Sequence, residues 1–169
     1  ASKITGLADN DPVATWEDSS PANNDVAQGT GSLQPLYILN AYNGKPCLRF
    51  DGSDDFIKAL FTLNVPFQVF AVIKQIGWTN SDHLLAGGAD DNWSISQSGS
   101  SPTIKQWNGV AAGNNENNLA GGSWAILECN MPAAGAGSNS TRVNQSAATV
   151  NGGNSSLARG GITVGSHPA

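Results

Sequence analysis

The segment Phe67-Gln68-Val69-Phe70-Ala71-Val72-Ile73-Lys74-Gln75-Ile76 constrains the fold more than any other part of the chain. Its β-branched and aromatic residues favour extended backbone and lose rotamer freedom in a helix. At the two-residue period of a strand, Phe67, Val69, Ala71 and Ile73 share one face, and Phe70 and Val72 the other. Apolar residues on both faces predict a strand covered on both sides. Such a strand needs neighbours, and the rest of the chain has to supply them.

Shorter runs of the same kind follow. Strands are expected at residues 47–50, 56–60, 83–86, 93–96, 103–107, 124–131, 141–143 and 162–164. In the run from Trp124 to Met131, Ala125, Leu127, Cys129 and Met131 lie on one face, with Glu128 and Asn130 pointing the other way. Residues 103–107 alternate and then meet Asn108-Gly109, a hairpin-turn signal. Turn-forming stretches at 9–12, 20–25, 28–34, 111–122, 133–140 and 151–156 separate the strands. No helical template exceeds a turn or two, and only three Glu (Glu17, Glu116, Glu128) and five Lys are present to clothe helices. The pattern predicts an all-β chain, a two-sheet antiparallel β-sandwich, as a single domain over residues 1–169. A chain of 169 residues is long enough to bury a core without staples.

Charge narrows the partners. Charged residues make up 12% of the chain, about half the usual share, and the net charge is −5. No cluster of Lys and Arg exists to track phosphates, so nucleic acid is excluded as an expected partner, and an anionic membrane surface is disfavoured. No apolar run approaches the ~20 residues of a membrane-spanning helix, so no insertion is expected. The opening Ala1-Ser2-Lys3-Ile4-Thr5-Gly6 does not read as a signal peptide. Cys47 and Cys129 lie on separate strand-like runs; two free thiols are favoured over a disulfide between them.

The order of short motifs adds a resemblance. Trp16-Glu17-Asp18-Ser19-Ser20-Pro21-Ala22-Asn23-Asn24-Asp25 precedes Pro35-Leu36-Tyr37 and Asn43-Gly44-Lys45-Pro46. Then come Leu48-Arg49-Phe50-Asp51-Gly52-Ser53-Asp54-Asp55-Phe56 and the strand from Pro66 to Lys74. Trp124-Ala125-Ile126-Leu127, Arg142-Val143-Asn144 and Gly161-Ile162-Thr163-Val164-Gly165 continue the series. From about residue 15 to residue 165 this order resembles the laminin-G-like, concanavalin A-like lectin/glucanase superfamily, in the form met in bacterial surface and phage virion proteins. The resemblance implies a jelly roll and a place on a virion or an extracellular or cell surface. Similar domains carry one more strand, of Gly-x-Ile-Ala-Glu-Val type, after the last motif; this chain stops at Ser166-His167-Pro168-Ala169. An open edge paired with a neighbouring chain, in a homo-oligomer or larger assembly, is therefore expected there.

Candidate site residues fall into two groups. Asp51, Asp54 and Asp55 are the densest acidic cluster and form a candidate calcium site, since calcium takes carboxylate oxygens. Read as local structure, the same residues make a turn whose carboxylates accept backbone N–H groups. Trp78, Trp93 and Trp107, with Asp82, Asn92 and Asn108 near them, are candidates for carbohydrate binding through ring stacking and hydroxyl hydrogen bonds. The competing reading places these indoles in the core. His83 beside Asp82 has no partner pattern of a catalytic base. Glucanase chemistry on this fold needs clustered carboxylates, whereas Glu17, Glu116 and Glu128 are isolated. Three function classes are thereby ranked: a non-catalytic structural or decoration module working through protein contacts, then a carbohydrate-binding module with or without calcium, then a glycan-cleaving enzyme.

Overall fold

The structure, a computed structural model, describes residues 4–88, 93–99, 103–107, 112–116, 119–133, 139–147, 149–151 and 160–165. In chain order the strands are β1 (Thr15–Trp16), β2 (Val26–Ala27), β3 (Leu36–Tyr42), β4 (Lys45–Arg49), β5 (Phe56–Ala59), β6 (Phe67–Lys74) and β7 (His83–Ala86). They continue with β8 (Ser94–Gln97), β9 (Ile104–Trp107), β10 (Ala112–Glu116), β11 (Trp124–Met131), β12 (Asn139–Val143), β13 (Thr149–Asn151) and β14 (Ile162–Gly165). One 3-10 turn, Gly31–Leu33, is the sole helical element among the described residues. The chain is all-β, as the strand pattern and the shortage of Glu and Lys predict.

Every pairing between these strands is antiparallel. They form three sheets where two were expected. An eight-stranded sheet runs β1-β2-β5-β14-β7-β8-β9-β10, a four-stranded sheet runs β13-β12-β11-β6, and β3 and β4 pair as a separate hairpin. The hairpin turns at Asn43 and Gly44, both with positive φ, the backbone that Asn-Gly tolerates best.

The eight- and four-stranded sheets share a core. Leu85, Trp93, Ile95 and Ile104 from the first meet Leu127, Cys129, Met131 and Val143 from the second. Fully burying side chains of this size stabilises by about 1.5–3 kcal/mol each. A smaller cluster, Val13, Tyr37 and Ile57, packs with Leu48 and Phe50 of the β4 region. Val164 of β14 touches both clusters and joins them.

Four expectations are corrected. First, β6 is not covered on both sides. Phe67, Val69, Ala71 and Ile73 do pack on the core, but Phe70 and Val72 are 65% and 63% exposed. Second, residues 112–116, assigned to a turn-forming stretch, form β10 and pair with β9. The Asn108-Gly109 turn signal lies outside the described residues, although the strands flanking it pair antiparallel. Third, β3 was missed as a seven-residue strand, as were the short β1, β2 and β13. Fourth, β14 is not an edge strand. It sits between β5 and β7 inside the larger sheet. Among the described residues, the edges of the smaller sheet are β13 and β6. Both cysteines are free thiols, Cys47 half-buried and Cys129 fully buried.

Candidate functional site

Three places in the molecule bring chemistry-bearing side chains together: the turn before β5, the loops around β8, and the outer face of the four-stranded sheet.

The turn spans residues 51–55. Gly52 takes φ +80°, a conformation that L side chains rarely adopt, and this lets the chain reverse. The Asp51 carboxylate then accepts backbone N–H bonds from Ser53 at 2.8 Å, Asp54 at 3.3 Å and Asp55 at 3.4 Å. The Asp55 carboxylate accepts the Asp51 N–H at 2.9 Å, closing the loop on itself. These donors, that of Ser53 foremost, hold the Asp51 carboxyl below the ordinary range. Asp55 is buried, and burial pushes its carboxyl up, with the nearby charges of Asp51 and Asp54 adding to the effect. Gly165 pins the turn to β14. With φ +94°, it lets Phe50 Cδ1 and the Asp55 carbonyl oxygen approach to 2.5 and 2.6 Å of where a Cβ would stand.

Asp51, Asp54 and Asp55 thus come together as the sequence suggests, with one ligand atom of each within 4.8 Å of the others. With one oxygen from each, the three carboxylates supply three of the six to eight oxygens calcium takes. The backbone bonds already give Asp51 and Asp55 a structural task.

The tryptophans do not converge. Trp93 is fully buried and meets Phe67 edge-on, with centroids 5.5 Å apart and planes at 62°. An indole inside the core offers no face to a sugar ring, so Trp93 is withdrawn as a binding residue. Trp78 is half-buried against the same core, and its Nε1 donates to the Gly99 carbonyl at 3.2 Å. Trp107 is half-buried and pairs with Ser94 at the opposite end of β8. At a strand rise of about 3.3 Å per residue, the three steps of β8 from Ser94 to Gln97 span about 10 Å, and Gly99 lies beyond Gln97. Asp82 is half-buried, and its main chain is tied to the end of β8: its carbonyl accepts the Gln97 N–H at 2.8 Å. Asn92 and Asn108 lie outside the described residues.

The outer face of the four-stranded sheet is the feature that was overlooked. Along β6 it carries Gln68, Phe70, Val72 and Lys74; along β11, Trp124, Ile126, Glu128 and Asn130. Cross-strand register sets Val72 directly opposite Ile126, and Phe70 opposite Glu128. Ile126 is 47% exposed, so with Phe70 and Val72 it forms a contiguous apolar patch in water. Tyr42, from the end of β3, extends the patch by leaning on Trp124, ring centroids 5.2 Å apart. Glu128 pairs with Arg142 of β12 at 3.3 Å, on the side of β11 away from β6. Sequence carried the signal for this face. Phe70 and Val72 alternate with the core residues, and Glu128 and Asn130 on the partner strand mark the outer side as wet.

A buried polar group sits beneath the same sheet. Gln106 of β9 donates from Nε2 to Cys129 Sγ at 3.0 Å and accepts from Thr141 Oγ1 at 2.7 Å, bridging the two sheets. Burial pushes the Cys129 thiol up to about 12. Asn139, fully buried on β12, finds no hydrogen-bond partner for either amide atom among the described residues.

Comparison with protein-family models, with curated proteins and with solved structures returned no match. The likeness to the concanavalin A-like superfamily therefore rests on the quoted motifs alone.

Proposed function

We propose that this chain is a non-catalytic structural module, a jelly roll of concanavalin A-like build, that works by contact with other protein chains. The observation that carries this reading is the contiguous exposed stripe of Phe70, Val72 and Ile126 on the outer face of β6 and β11. Large apolar residues grouped in this way, with polar residues at the rim, mark interaction surfaces more often than single exposed apolar residues do. The motif resemblance supports a place for such a module on a virion or cell surface, as a decoration or structural protein. Low charge suits a surface that must pack against neighbours, since few ions have to be stripped of water.

A second reading, a calcium-dependent carbohydrate-binding module, draws on the convergence of Asp51, Asp54 and Asp55. A glycan array, run with calcium and again with chelator, separates the two. A blank array under both conditions is expected. Retention of a glycan, above all chelator-sensitive retention, would overturn the protein-contact reading and move the function to the Asp51–Asp55 turn and the loops at Trp78 and Trp107.

A further inference from the structure

We infer that the open edge of β6 pairs with β6 of a second copy, in antiparallel register about a two-fold axis near Ala71. The contact is at the strand's edge and leaves its outer face uncovered; it makes a second copy one of the neighbouring chains of the reading above, and so rests on that reading.

Two independent features of β6 point to an added strand. It is eight residues long, paired along its whole length to β11 on one side and to no strand on the other among the described residues. An unpaired strand edge presents a row of backbone N–H and C=O groups ready to bond another strand. Its side chains are also incompletely covered in both directions. The inward Phe67, Val69, Ala71 and Ile73 are only half-buried, while their partners on β11, Met131, Cys129, Leu127 and Ala125, are buried. Outward, Phe70 and Val72 are exposed. An incoming strand therefore has to be apolar on both faces.

β6 meets that requirement itself, and its sequence is self-complementary. Pairing about Ala71 sets Phe70 of each copy opposite Val72 of the other, an aromatic against a β-branched residue, the kind of cross-strand pair that stabilises sheets. Inward, Val69 lies opposite Ile73. At the ends, Lys74 lies opposite Gln68, so the single charge of the strand never faces its like. No carboxylate lies on β6, and Glu128 beside it is held by Arg142. A closed two-fold contact of this kind uses the same patch on both copies. It joins the two four-stranded sheets into one and the two outer stripes into a continuous apolar band.

Sedimentation velocity from low micromolar to near-millimolar concentration tests the pairing, alongside hydrogen exchange of the amides of residues 67–74. The expected result is a rise in mass to that of a dimer, with slower exchange at those amides as concentration rises. Val72→Lys should weaken the dimer by at least about tenfold, and Ile126→Lys, one strand in from the edge, by less than about threefold. Both sites are exposed, so circular dichroism of either variant should match wild type. A monomer at all concentrations overturns the inference. So does a dimer that ignores Val72→Lys, or one equally sensitive to both variants, which would mean stacking of faces. A monomer with a blank glycan array removes only the self-pairing; glycan retention removes the protein-contact reading beneath it.

Discussion

β6 and β11 are the same length, pair residue for residue, and point alternate residues into the same core, yet they end in different environments. Every inward residue of β11 is buried; no residue of β6 is. β11 has β12 on one side and β6 on the other, whereas among the described residues β6 has a neighbour on one side only. Alternation in sequence decides which face a residue takes. Position in the sheet decides how much water that face still sees. For two strands with nearly interchangeable patterns, the second effect accounts for the difference.

The largest expected contrast is in thiol accessibility. Cys129 is fully buried with its pKa near 12, so a maleimide or disulfide reagent reaches it only through unfolding. In a Cys47→Ser background, Cys129 should label slower than a free thiol on the order of a thousandfold or more. Ala71→Cys, placed inward on β6, should label far faster than Cys129 and slow down as protein concentration rises. Equal protection of the two thiols would break the contrast, because it would mean that the β6 edge is already covered within one chain.

Stability sharpens the same contrast. Leu127→Ala removes a fully buried side chain from the centre of β11 and should cost about 3 kcal/mol in urea unfolding, cavity included. Val69→Ala, on the half-buried face of β6, should cost about 1 kcal/mol, since less apolar area is withdrawn from water there. Losses of similar size at both positions would show that β6 is as tightly packed as β11. Smaller again is Thr141→Val on β12, which removes the donor to Gln106 Oε1 at nearly constant volume. It should cost about 0.5 kcal/mol, with the transition slope unchanged.

This contrast explains how much could be read in advance. Strand positions at 83–86 and 124–131 were legible to the residue, because period-two alternation between turn residues is a local signal. The inward faces of β6 and β11 were legible for the same reason. Beyond the unrecognised strands β1, β2, β3 and β13, three things were not. β10, Ala112–Glu116, consists of Ala, Gly, Asn, Asn and Glu, which favour turns; it is a strand because β9 is there to pair with it. The outer face of β6 was taken as covered, because apolar residues on both faces of a strand do not say whether a second layer exists. Trp93 is a sugar-stacking candidate by sequence, with the core as the competing reading; only its contact with Phe67, 26 positions away across the core, decides between them. The Asp51–Asp55 turn was readable in both of its guises, and the hydrogen bonds supply the structural one.

The smallest effect concerns pH, and it isolates the turn from the two strands. The Asp51 carboxyl lies below its ordinary value of 3.8 in the fold because backbone N–H groups favour its charged form. Its stabilising contribution is therefore complete above that value and is lost as pH falls through the lowered one. Asp55 has the opposite sign. Burial raises its pKa, so the fold carries a cost that grows as pH rises from about 3.8 through the raised value. Asp51→Asn should flatten the loss of stability on acidification, and Asp55→Asn should raise stability near neutrality while keeping an oxygen to accept the Asp51 N–H. Urea midpoints at a series of pH values from 2.5 to 7 would show both, with the sensitivity falling on the turn. The difference between Leu127→Ala and Val69→Ala, being apolar in origin, should hold constant across the same range. If that difference moved with pH, an ionisable group would have to be coupled to the packing of β6 and β11, and the distinction between centre and edge would no longer be one of neighbours alone.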